Sequence, residues 1–193
     1  MLITELLALH RTAVRTSVEI VSRVSTDDLG KPTPCSEWTL AQLLAHMTAQ
    51  HHGFAAAARG QGGDLAAWKV SVSSRPVAEY AEAAEDVLAA FAEPEVPQRE
   101  FELPEFGAWF PAMQAIGFHL IDYVVHGWDV ARSLGLEHRL APELAGPALR
   151  IALAVPDGES RLKPGAPFAP ALDADDEDPL NRVLTALGRS PKW

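Results

Sequence analysis

The sequence predicts an all-α protein, an up-and-down four-helix bundle with a short C-terminal extension. Three observations carry that expectation. Four long segments repeat their apolar residues at three- and four-residue steps, proline and glycine break the connections between them, and no apolar/polar alternation runs long enough for a sheet. There is no internal repeat, and Gly188–Pro191 lacks the glycine spacing and the lysine of a phosphate loop. A chain of 193 residues is one domain of ordinary size. It can bury a core without disulfides or metal as staples, so a metal would serve function rather than folding. Residues 1–155 form the expected bundle, and 156–193 form an extension within the same domain.

The first helix, about Thr4 to Val24, sets Leu7, His10, Val14, Val18 and Val21 on one side and Arg11, Arg15 and Glu19 on another. Ser25 to Glu37 reads as a loop. Ser36 and Thr39 are both candidate N-caps for the second helix, and Gln42 completes a capping box with Thr39. That helix runs from about Leu40 to Ala58 and ends at Gly60, Gly62 and Gly63. Gln61 to Arg75 is mostly loop with Trp68 as an anchor. Pro76 suits the first turn of a third helix through Phe91. Pro94, Pro97 and Pro104 then exclude regular helix until about Pro111, leaving room for a short extended piece at Arg99–Leu103. The fourth helix spans about Pro111 to Leu134 and stops at Gly135. A fifth runs from Pro142 to Val155, and a last short one from about Leu180 to Leu187.

The formal charge is −10 and no basic run is present, which argues against nucleic acid or an anionic membrane as partner. The N-terminal segment has no basic region ahead of an apolar one and reads as neither signal peptide nor membrane span. Cys35 is the one cysteine, in keeping with a reducing, cytoplasmic location.

Phe118 to Asp129 is almost wholly apolar yet carries His119, Asp122 and His126 at steps i, i+3 and i+7. At about 100° per residue these fall within roughly 60° on one helix face. Carboxylate and imidazole are costly to bury alone, so three together want one another or a cation. Asp122 and His126, four residues apart, reach one point above their shared face. A third ligand must come from a facing helix. His46 is the best candidate, lying mid-helix among Leu43, Leu44 and Met47. A His/Asp/His set with an open position is a catalytic rather than a closed pattern, and zinc fits it best, with nickel, cobalt or iron as alternatives. The competing reading makes Asp122 and His126 a buried hydrogen-bonded pair and His46 a core residue.

His119 reads as a pocket residue or a substitute ligand, His51 and His52 as solvated or rim residues, and His10 and His138 have no supporting spacing. Asp129 either fixes the tautomer of His126 or pairs with Arg132 on the surface. Cys35, with no evident base, reads as packing. Trp38, Trp109, Trp128, Phe110 and Phe118 offer an aromatic wall or simply core.

Three segments carry a family resemblance: Thr33 to His46 (TPCSEWTLAQLLAH), Asp122 to Ala131 (DYVVHGWDVA) and Asp178 to Trp193 (DPLNRVLTALGRSPKW). Together and in this order they resemble the actinobacterial DinB-like proteins related to mycothiol-dependent maleylpyruvate isomerase. The resemblance implies a DinB-type four-helix bundle with a divalent metal at its open end, held by a histidine closing the LLAH motif and by an acid-xxx-His pair. Here those positions are His46, Asp122 and His126. Two departures stand out. The isomerases carry Glu where this chain has Asp122, and they have a separate C-terminal domain, where only residues 156–193 follow the fifth helix here.

The resemblance thus implies an enzyme using a low-molecular-weight thiol, mycothiol, in transfer or isomerisation of a small electrophile. The metal would favour the thiolate or polarise a carbonyl. Arg189 is a candidate to bind a carboxylate of thiol or substrate, against the alternative of a surface arginine closing the last helix. A metal-dependent hydrolase and a non-catalytic metal-binding or sensor protein are the other classes in play. A homodimer is the expected assembly.

Overall fold

The computed structural model describes residues 1–35, 38–163, 167–173 and 176–193. Ser36, one of the two candidate caps, lies outside the described residues. Among the described residues there are six α-helices: α1 (Ile3–Val21), α2 (Leu40–Ala58), α3 (Pro76–Phe91), α4 (Ala112–Ser133), α5 (Pro142–Ala154) and α6 (Pro179–Ala186). The fold is all-α, with one small hairpin as the only sheet among the described residues. α1 lies along α4 and α2 along α3, while α6 packs on α5.

Local sequence explains the helix ends. Thr39 takes the extended backbone of an N-cap, its hydroxyl accepting from the Gln42 amide while the Gln42 side chain accepts from the Thr39 amide. Pro76, Pro142 and Pro179 occupy first turns, where no amide donor is missed. α4 ends at Gly135, whose φ of +70° suits glycine. α4 is apolar nearly all round, with Ile116, Leu120, Ile121, Val125 and Val130 buried. It is the central helix.

The segment before α4 departs from expectation. β1 (Glu100–Leu103) pairs antiparallel with β2 (Ala108–Pro111), in the register Phe101 opposite Phe110. The extended piece at Arg99–Leu103 was expected, its partner strand and the resulting sheet were not. Phe101 and Leu103 are buried and alternate with Glu100 and Glu102, but four residues are too few for alternation to show in sequence. The turn closes through Gly107 at φ +60°.

The extension is pinned from within. Arg161 is buried and donates to the carbonyls of Val155, Pro156, Ala169 and Ala186, tying the end of α5 to α6. Gly188 has φ +76° and its backbone presses on Ala169, where a Cβ would meet the carbonyl oxygen at 2.6 Å. That tight exit, with the Arg189 amide donating to the Leu184 carbonyl, turns Arg189 back toward α4.

Candidate metal centre

His46 lies near the start of α2, placed by the Thr39 cap, and Asp122 and His126 lie one turn apart on α4. One ligand atom from each of the three falls within 4.8 Å of the others. The structure therefore brings together the set expected from spacing. The His46 ring sits 4.7 Å from that of Trp38 and edge-on to His126 at 5.4 Å. His126 is buried, and Asp122 and His46 are half-buried, so the group opens to one side.

His126 is held from both ends. Its Nδ1–H donates to Asp129 Oδ2 at 2.9 Å, and Nε2 faces Asp122 Oδ1 at 3.3 Å. Burial opposes its charge, but the two carboxylates outweigh burial and raise its pKa to about 9. The Asp122 carboxyl is lowered: burial pushes the other way and is overcome, chiefly by His126. Burial and the neighbouring His126 charge lower His46 to about 4, leaving a neutral imidazole at neutral pH.

Asp129 is wholly buried and also takes Arg189, whose Nη2 donates to Asp129 Oδ2 at 3.4 Å and to Cys35 Sγ at 3.6 Å. Of the two readings of Asp129, the structure shows the bond to His126. Arg132 turns instead to the Trp193 carbonyl. Arg189 is 6% exposed, so it is not the surface residue offered as its alternative. Among the described residues, Asp129 Oδ1 and Arg189 Nε find no hydrogen-bond partner although both are buried. Burial raises the Cys35 thiol to about 11, in keeping with a packing role.

Three histidines fall elsewhere. His119 lies outside the ligand set: its Nδ1 pairs with His10 Nε2 at 2.8 Å and its Nε2 with His51 Nδ1 at 3.3 Å, all in the core. His51, expected at the rim, is fully buried and stacked on Tyr123. His52 is exposed, as expected. A heptad step along α4 spans about 10 Å of axis, so His119 shares the face of His126 but not its surroundings. Partnership across helices leaves no mark in the spacing along one.

Two imidazoles and a carboxylate, converging from two helices with no donor on His46 among the described residues, fit a divalent cation of borderline character. Fold and site thus define a helical bundle with a candidate His/Asp/His cation site on two of its helices. The chain belongs to the family of the mycothiol maleylpyruvate isomerase N-terminal domain, whose profile matches residues 10–131. Two uncharacterized proteins of Mycobacterium tuberculosis, from two strains, are each 33% identical to it over 94% of this chain and 96% of theirs. The crystal structure of the mycothiol-dependent maleylpyruvate isomerase superposes with TM-score 0.66 and 16% identity, covering 98% of this chain and 90% of that one. A mutant of that isomerase gives TM-score 0.69 and 16% identity, covering 100% and 91%.

Proposed function

We propose that this protein is a thiol-dependent enzyme, acting with mycothiol in isomerisation or transfer on a small electrophile, and that His46, Asp122 and His126 hold a divalent cation, zinc by donor preference. The observation that carries the reading is the convergence of their ligand atoms within 4.8 Å. Family membership and the name borne by the solved relatives support mycothiol as the thiol. When bound, the cation supplies Lewis acidity, which favours a thiolate near neutral pH or polarises a carbonyl.

The residues of the chain have separable tasks. His46 offers a lone pair that burial keeps unprotonated. Asp129 holds the Nδ1 proton of His126 and so aims Nε2 at the shared point. Asp122 brings negative charge on a side chain shorter than the Glu of the isomerases. Arg189 neutralises Asp129 and lies against Cys35, with Nε left as a donor toward a polar group of the thiol. Trp38 covers His46 and keeps water from one side. A reducing cytoplasmic setting and a homodimer complete the reading.

The test is turnover of a panel of electrophiles by zinc-loaded protein with and without mycothiol. Asp122→Ala is expected to lose bound metal and about 100-fold or more of the thiol-dependent rate, as loss of a ligand of a catalytic metal requires. Retention of both metal and turnover in Asp122→Ala would sink the proposal. Turnover without thiol would move the protein to the hydrolase class.

A further inference from the structure

The two helices that supply the candidate centre have their main partners elsewhere: α2 lies along α3, and α4 along α1. Their relation to each other therefore depends on few direct ties. Among the described residues two hydrogen bonds join α2 to α4. One is the imidazole contact of His51 with His119, long at 3.3 Å. The other runs from the Tyr123 hydroxyl to the backbone carbonyl of Met47.

That second bond sits beside the centre. Tyr123 follows Asp122 on α4, and Met47 follows His46 on α2, so the hydroxyl pins the two backbones together one residue away from a ligand on each. Successive helical residues are only about 1.5 Å apart along the axis. A slip of α2 on α4 at this level would pass to His46 and Asp122 almost undiminished. The tie is well supported. Tyr123 is buried, and its ring stacks on those of His51 and His119 with centroids 4.0 and 4.3 Å away. Burial holds its phenol well above the usual range, so the proton stays on the oxygen and is donated. The Met47 carbonyl lies inside α2, where the helix already gives it an amide, so α2 does not need this donor to form. A buried hydroxyl does need an acceptor, and the one it finds is on the facing helix.

We propose that Tyr123 is a positioning residue for the candidate centre: its bond to the Met47 carbonyl fixes the register of α2 against α4, and with it the convergence of His46 on Asp122 and His126. It acts through His46 and Asp122 rather than on a cation or substrate. The inference rests on the proposed function for the cation but not for the register, which the metal-free chain also has. Tyr80 gives an internal comparison. It is equally buried and its hydroxyl bonds to Ser17 Oγ at 2.6 Å, but that bond joins α3 to α1.

The test sets Tyr123→Phe beside Tyr80→Phe. Each removes one buried hydroxyl, so a general loss of stability is common to both. Cobalt affinity, measured by competition with a chelator, should fall about fivefold in Tyr123→Phe, the equilibrium worth of one hydrogen bond. Its visible ligand-field spectrum should change as well, while Tyr80→Phe matches wild type in both. Placing 4-aminophenylalanine at position 123 restores a donor there and should recover affinity and spectrum. In metal-free protein Tyr123→Phe should displace the ring NMR signals of His46 and His126, and Tyr80→Phe should not. A wild type that takes up no cobalt, with those rings still displaced in Tyr123→Phe, would end the cation reading and leave the tie standing. Wild type also supplies a measure that needs no variant: the Tyr123 hydroxyl proton should exchange slowly with water. Equal effects of the two variants on affinity and ring signals, or a Tyr123 hydroxyl in fast exchange, would overturn the proposal.

Discussion

Asp129 Oδ2 accepts from both His126 Nδ1 and Arg189 Nη2, so one buried oxygen joins a candidate ligand to the C-terminal tail. A carboxylate in that position orients the imidazole and makes it a better ligand. Asp129→Asn keeps the shape but removes the charge, and it is expected to weaken zinc about 10- to 100-fold, the usual cost of losing such a partner. Competition with a chromophoric chelator measures this; unchanged affinity would mean that His126 needs no orienting group. The bond between Asp129 and His126 was legible in sequence as a three-residue step on one helix. The contact with Arg189 was not, because it depends on Gly188 turning the chain back from α6, and no spacing encodes that turn.

At the scale of elements, α1, α2 and α4 meet through a chain of three imidazoles, His10, His119 and His51. A neutral imidazole has one N–H, so His119 donates at one nitrogen and accepts at the other. The chain works only uncharged. Burial lowers His10 from 6.5 to about 3 and holds His51 and His119 well below their usual value. The unfolded chain therefore binds more protons than the folded one below pH 6.5. Stability from this core should be complete above pH 6.5 and fall as pH drops toward 3, by up to about 1.4 kcal/mol per pH unit for each imidazole. Urea melts of metal-free protein between pH 7.5 and 5 measure the slope, and His10→Phe should flatten it. A slope unaffected by removing His10 would show that the chain does not set acid stability. Helices α2 and α3 could be bounded from sequence because a capping box and a first-turn proline mark their starts. The histidine chain could not be foreseen, because His10, His51 and His119 are spread over three helices and each looks isolated on its own.

For the whole molecule, the two halves of the candidate centre come from α2 and α4, so its geometry is a property of the packed bundle. The bundle was legible because each helix shows its apolar face within a few turns. The hairpin was hidden by its four-residue strands, although its Phe106 and Phe110 pack on Phe118 of α4. Among the described residues no helix is long and apolar enough to cross a membrane. Elemental analysis of purified wild type and His126→Ala, followed by cobalt substitution and titration with thiol, is the experiment to make first. Wild type should carry about one equivalent of metal, as three ligands at one point require. His126→Ala, with unchanged helical content, should carry little, and thiol should bring a sulfur-to-cobalt absorption band in wild type alone. A folded wild type that neither contains nor takes up zinc or cobalt would contradict the cation site and reduce His46, Asp122 and His126 to a hydrogen-bonded network.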